Sequence, residues 1–354
     1  MLTTKLLAPL LAIPLLGLLL AAPQTGQAAS KPVLRVLAWP GYADADVVKG
    51  FERRSGARVE LTIIDSDTAL WQKISAHDAA DFDVFAVNTA ELQRYIDRGL
   101  VEALDQNAIP NTRRQLPQFR DLAAIAGLTR QGKAYGIPYT YAEMGLIYDR
   151  SQFATPPDSI TALWDPRHRG RVLAYNGGTH KFSLAAQALG SASPFRLGAG
   201  DWPRAVERLI ALRRNVLAFY NQPEEAVELF RQHRVALMYA NYGMQQVRLL
   251  KAAGLDVGYA IPREGALAWL DCWAIVRGVR DRALAHAWID YMLEETVSGL
   301  LVNRQGLSST ITTATAGQLG GRLLWLEEPE DVVRREKMWG SIVSGDRAEK
   351  VLAR

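Results

Sequence analysis

Hydrophobic residues in this chain fall into short unbroken runs, separated by longer stretches where they recur at helical spacing. Residues 33–38 form one run, closed by Trp39-Pro40-Gly41-Tyr42, where proline and glycine stop a strand. Asp44 or Asp46 then caps a helix reaching about Arg54. Residues 59–64 read as a second strand, and Asp67 caps a helix carrying Leu70, Trp71 and Ile74. Residues 83–87 make a third strand, and Thr89 opens a helix that stops at Gly99. Strand and helix alternating in this way predict βαβ units on a parallel sheet. Ligands of such sheets sit beyond the carboxyl ends of the strands, which points to Trp39, Tyr42, Asn88 and Thr89.

The alternation resumes after Gly136-Ile137-Pro138-Tyr139. Strands are expected at 144–149, 171–174, 216–220, 235–240 and 257–261, with helices between them. One of these helices, over 180–189, follows Asn176-Gly177-Gly178-Thr179. Later, Leu284, Ala287, Trp288, Tyr291 and Met292 share one helical face, another helix ends at Gly306, and a last one spans 329–342. There is no fixed-period repeat and no low-complexity linker. Two α/β halves without a linker imply that the chain crosses between lobes more than once, through short hinge strands flanking a cleft.

The strand at 268–275, Ala268-Trp269-Leu270-Asp271-Cys272-Trp273-Ala274-Ile275, stands apart. Alternation puts Trp269, Asp271 and Trp273 on one face and Leu270 and Cys272 on the other. A carboxylate buried among tryptophans needs a cation or donors, and an indole face itself attracts cations. Two readings are open: an amine-binding pocket, or an Asp satisfied by backbone donors or an Arg of its own chain.

Composition narrows the class. At 354 residues, 49% hydrophobic and 22% charged, the chain suits one large or two medium domains. Lys5, the apolar run 6–22 and the small residues Ala28-Ala29-Ser30 predict a secretory signal peptide over 1–29. Lys5 is the one charge before Lys31, so its removal takes the net charge from +4 to +3. That is too little, and too dispersed, for nucleic-acid binding. The single Cys272 excludes an intrachain disulfide, and a neighbouring Asp271 makes it a poor thiolate. Enzyme signatures such as H-E-x-x-H, G-x-S-x-G, a Walker loop or a post-strand G-x-G-x-x-G are absent. The histidines, 5 in all, show no metal-ligand spacing, and only His180, at a helix start, faces the expected cleft. Neither enzyme activity, nor metal, nor cofactor is expected.

Several segments, in order, carry a resemblance: Leu37-Ala38-Trp39-Pro40-Gly41-Tyr42, Asp81-Phe82-Asp83-Val84, Arg98-Gly99-Leu100-Val101, Tyr135-Gly136-Ile137-Pro138-Tyr139, Trp164-Asp165-Pro166, and Pro262-Arg263-Glu264-Gly265 leading into Trp269-Leu270-Asp271. The mature chain resembles the periplasmic solute-binding proteins of ABC importers, in particular the spermidine/putrescine-binding group. The resemblance implies a two-lobed α/β periplasmic-binding-protein fold, each lobe a mixed sheet flanked by helices, with the ligand cleft at the hinge. The implied lobes are 30–142 with 270–312, and 143–269 with 313–354. The implied protein is periplasmic and monomeric, and delivers a small amine or amino acid-like ligand to an inner-membrane ABC permease.

By the same resemblance, Trp39 matches the family's ligand-stacking tryptophan, Trp269 and Asp271 match its amine grip, and Tyr141 matches an aromatic lining the first crossing. The departures are as informative. Pro40 stands where the family has Thr or Ser, and Asn88 and Ala90 replace a Ser and an aromatic. Gly177 and His180 fall where it has an acidic pair, Asn241 where it has a tryptophan, Leu307 where it has a tyrosine, and Gly340 aligns with a glutamine. Asp271 is then the one matched carboxylate. Glycines at a helix start free N–H groups that favour an anion. The residues therefore predict a ligand with an amine at Asp271 and a polar or anionic group near residues 177–181.

Overall fold

The strands at Val33–Ala38 (β1), Arg58–Ile63 (β2) and Val84–Asn88 (β3) are the apolar runs of the first half, and they pair in parallel with β1 in the middle. This computed structural model describes residues 31–311 and 322–353, together with Leu2. The signal peptide expected over 1–29 lies, Leu2 apart, outside the described residues. A small hairpin, Thr129–Arg130 (β4) and Lys133–Ala134 (β5), precedes the long strand Ile137–Met144 (β6). Next come Leu146–Asp149 (β7), Val172–Tyr175 (β8), Val216–Tyr220 (β9), Leu237–Tyr239 (β10) and Val257–Ala260 (β11). Ala266–Ile275 (β12), Ser308–Ser309 (β13) and Leu323–Trp325 (β14) complete the set.

Two mixed sheets result. The first runs β13-β6-β12-β3-β1-β2, with β14 alongside the start of β12; the second runs β11-β7-β10-β8-β9. Helices cover both. Ala45–Ser55 buries Val47 and Phe51 against the first sheet and stops at Gly56, whose φ of 72° suits glycine alone. Trp273 and Trp288, both fully buried, meet edge to face at 5.9 Å in the core of the first sheet. The second sheet has an apolar core on each face.

The chain passes between sheets at β6–β7 and again at β11–β12. Beyond β14 it enters the Val332–Val343 helix, whose Met338 and Ile342 belong to the core of the second sheet. The strand expected over 144–149 is in fact split at Gly145, because it changes sheets there. A side chain at Gly145 would lie 2.6 Å from the Tyr259 ring. The Tyr259 hydroxyl accepts from Gly145 N (3.0 Å) and donates to Glu143 O (2.9 Å), satisfying the backbone where the ladder breaks. The expected cap at Asp67 is corrected too. Ser66 is the N-cap of Asp67–Ser75, its Oγ accepting from Ala69 N, which frees the Asp67 carboxylate for other partners.

Candidate functional site

The two sheets meet at the hinge, where Trp269 of β12 donates from Nε1 to Asn241 O just beyond β10. Asp271 lies in the centre of β12, in register with Asn88 at the end of β3 and with Thr140 of β6. A bulge between Asp271 and Cys272 re-aims the strand at that point. Asp271 is 6% exposed, and its Oδ2 accepts a 2.5 Å hydrogen bond from the Tyr42 hydroxyl. No described cation reaches it. Burial pushes its pKa up to about 7, and the Tyr42 bond opposes this only in part. Burial and the Asp271 charge likewise hold the Tyr42 phenol well above its ordinary value. Tyr42 is itself fixed by Tyr139, whose ring sits edge-on at 5.6 Å and whose hydroxyl donates to Tyr42 O at 3.2 Å.

Asn88 links this group to a second carboxylate. Its Oδ1 accepts from Glu91 N (2.9 Å), capping the Thr89–Asp97 helix, while its Nδ2 donates to Asp67 Oδ1 (3.3 Å). Asp67 keeps an accessible edge, yet it is enclosed enough for desolvation, followed by the Asp271 charge, to raise its pKa, with Arg94 partly opposing. Desolvation and Asp67 raise Glu91 too, against the pull of Arg94, which pairs with it at 2.8 Å. Carboxylates thus outnumber cations on this wall.

On the facing wall, Tyr175 ends β8 and Tyr242 follows β10, their rings edge to face at 6.0 Å. Desolvation lifts both phenols, Tyr242 to about 12, and the Asp67 charge adds to each. Trp269 closes the hinge end of the cleft. Its ring packs against the cores of both sheets, and its Nε1 donates to Asn241 O at 2.8 Å. The result is an aromatic-walled cleft with an electronegative pole at Asp271 and Asp67.

Comparison with known proteins agrees with this architecture. Residues 46–318 match the bacterial extracellular solute-binding protein family. The chain belongs to that family. A putrescine-binding periplasmic protein of Escherichia coli K12 is 24% identical over 295 residues, 79% of this chain and 78% of that one. A Streptococcus pneumoniae spermidine/putrescine substrate-binding protein superposes with a TM-score of 0.72 at 18% identity, covering 91% of this chain and 99% of that one. A GABA receptor superposes at 0.70 and 15% identity, covering 89% and 98%. These structures share the two-lobed periplasmic-binding-protein fold with this chain.

In this solute-binding protein, then, the cleft brings together Tyr42, Asn88, Asn241, Trp269 and Asp271. Trp39 lies half-buried beside the first core, and its Nε1 has no hydrogen-bond partner among the described residues. Gly177 caps the Gly178–Ala188 helix, and a side chain there would strike the Tyr175 ring at 2.5 Å. His180 is directed elsewhere. It meets Phe195 edge to face at 6.4 Å, and burial with the nearby Arg335 lowers its pKa to about 3. Tyr141 occupies the opposite face of the hinge strands, packed on Phe119 (5.4 Å) and Trp325 (5.6 Å). Asp67, Tyr175, Tyr242 and Lys181 belong to the cleft walls without having been singled out as site residues from sequence. The first three follow strand ends, so the rule that found Tyr42 and Asn88 would have found them. Among the described residues no group of His, Cys, Asp and Glu could hold a metal ion.

Proposed function

We propose that this protein is exported, holds an amine-bearing solute between lobes built from 30–142 with 270–312 and 143–269 with 313–354, and delivers it as a monomer to an ABC permease, without catalysis. The carrying observation is Asp271: a carboxylate 6% exposed whose only described hydrogen-bond donor is a neutral phenol. A buried charge without a counter-ion is costly, and a ligand ammonium supplies what the chain does not. Asp67, linked through Asn88, adds a second negative charge to the same pole. Trp39, Trp269, Tyr175 and Tyr242 offer faces for the alkyl part and for cation–π contact. The relatives named for putrescine and spermidine, and the GABA receptor, all take ligands that carry an amine.

Isothermal titration calorimetry with putrescine, spermidine, γ-aminobutyrate and butylamine tests the reading. Binding of at least one amine, lost in Asp271→Asn with the fold intact, supports it. Amine binding indifferent to that substitution removes Asp271 from the site.

A further inference from the structure

Beside the second sheet is a buried cation to which no described residue supplies a counter-ion. Lys181 lies in the first turn of the Gly178–Ala188 helix and is 2% exposed. No described hydrogen bond or ion pair reaches its Nζ; instead the ammonium sits 5.0 Å from the Tyr239 ring and 6.0 Å from those of Tyr175 and Phe219. Tyr239 and Tyr175 end β10 and β8, and Phe219 lies next to the last residue of β9. Side chains on a helix lean toward its N-terminus, so Lys181 reaches back to the edge of the sheet that borders the cleft. Aromatic faces offset only part of the desolvation of an ammonium, about 0.5–2 kcal/mol.

The helix start itself points the same way. Its first N–H groups have no partner within the helix, and the N-cap Gly177 provides no side-chain bond. The cap lacks a side chain because the Tyr175 ring closes over it. The other charges nearby do not answer Lys181. Arg335 is ion-paired with Glu330 and donates to Thr179 O, His180 is held neutral, and the exposed Glu336 accepts from Thr179 Oγ1 at 3.4 Å. Desolvation pulls the lysine's pKa down to about 7. Lys181 and Asp271 lie on different elements, the Gly178–Ala188 helix and β12, and no described ion pair joins them.

We propose that Lys181 and the free N–H groups of residues 178–180 receive a carboxylate, so that the solute is an ω-amino acid lying across the cleft with its ammonium at Asp271. This rests on the reading of Asp271 as the amine pole. An α-amino acid, with both charges on one carbon, cannot reach two separated poles, and a diamine would set a cation against Lys181.

Calorimetry on the purified full chain with γ-aminobutyrate, δ-aminovalerate and ε-aminocaproate, their primary amides, and putrescine tests it. At least one acid should bind about ten- to a hundredfold tighter than its amide, and tighter than putrescine. Lys181→Met should shrink the preference for acid over amide about tenfold or more, weakening the acids more than the amides. Asp271→Asn should weaken acids and amides alike. If no acid binds tighter than its amide in the native protein, which needs no variant, the proposal is overturned, as it is by putrescine binding tighter than every acid. Amides that bind through Asp271 without any preference for the acid defeat only this inference. Indifference of all amines to Asp271→Asn defeats the amine pole itself.

Discussion

Two buried carboxylates flank β3, and the chain treats them in opposite ways. Asp83, just before the strand and 1% exposed, accepts from Arg35 N (2.8 Å) and Arg280 Nη1 (3.0 Å). Asp271, beside the far end at Asn88, has a single phenol. The cations around the second sheet repeat the contrast. Arg335, with no exposure, is held by Glu330, Ser183, Thr179 O and Phe195 O, whereas Lys181 on the neighbouring helix has only rings around it. Burial alone does not mark a binding residue, since Asp83 and Arg335 are as buried as the other two. Partnership separates them: Asp83 and Arg335 are held by ion pairs, whereas no described ion pair reaches Asp271 or Lys181.

The sharpest way to break this contrast is to treat both classes alike by mutation. Arg335→Met strips Glu330 of its cation, leaving it Leu197 N as its one described donor, and takes a donor from Ser183 Oγ and two carbonyls; urea denaturation should report a loss of about 3–5 kcal/mol. A loss below about 1 kcal/mol would put Arg335 with the dispensable charges. Asp271→Asn should do the reverse, leaving stability unchanged or raised while amine affinity falls about ten- to a hundredfold by calorimetry.

Acidity offers a third test. The Asp271 carboxyl titrates near 7 in the folded chain and near 3.9 in an unfolded one. The native state therefore holds the extra proton between those values, and the unliganded protein should lose stability as pH rises from about 4 toward 7. An ammonium needs the ionised carboxylate, so the affinity for butylamine, which has no carboxylate to meet Lys181, should climb over the same range, by up to about tenfold per pH unit, and level off above it. A flat affinity profile between pH 5 and 7 in the native protein would contradict the assignment; in Asp271→Asn a flatter profile is expected. The smallest effect belongs to the hinge. Trp269→Phe keeps a ring between the two cores but loses the bond to Asn241 O, which should cost about 1 kcal/mol in the same denaturation measurement.

Much of this was legible in the sequence, and the failures have physical causes. Apolar runs located β3 and the hinge strand because both are buried on both faces, β1 because it is mostly buried, and even the edge strand β2, which has no buried residue; the carboxylate at 271 stood out against tryptophans. Asp67 was hidden by its neighbour: Ser66 and Asp67 are both good caps, and only the backbone reveals that Ser66 takes that role. Tyr141 was misread for want of register. Alternation separates it from Thr140, but only pairing with β12 shows that Thr140 shares a level with Asp271 while Tyr141 opposes Leu270. Lys181 did leave a trace, since Leu184 and Ala185 sit three and four residues on, along the buried side of its helix.

The Tyr259 hydroxyl has a mechanical corollary. Where one strand leaves the first sheet for the second, the amide of Gly145 and the carbonyl of Glu143 share a phenolic oxygen that belongs to neither ladder. A hydroxyl turns freely about its own bond, so the path of the strand can swing at this junction while both peptide groups keep their partner. The joint works as a pivot pin, and bending it need not strip the backbone of a hydrogen bond.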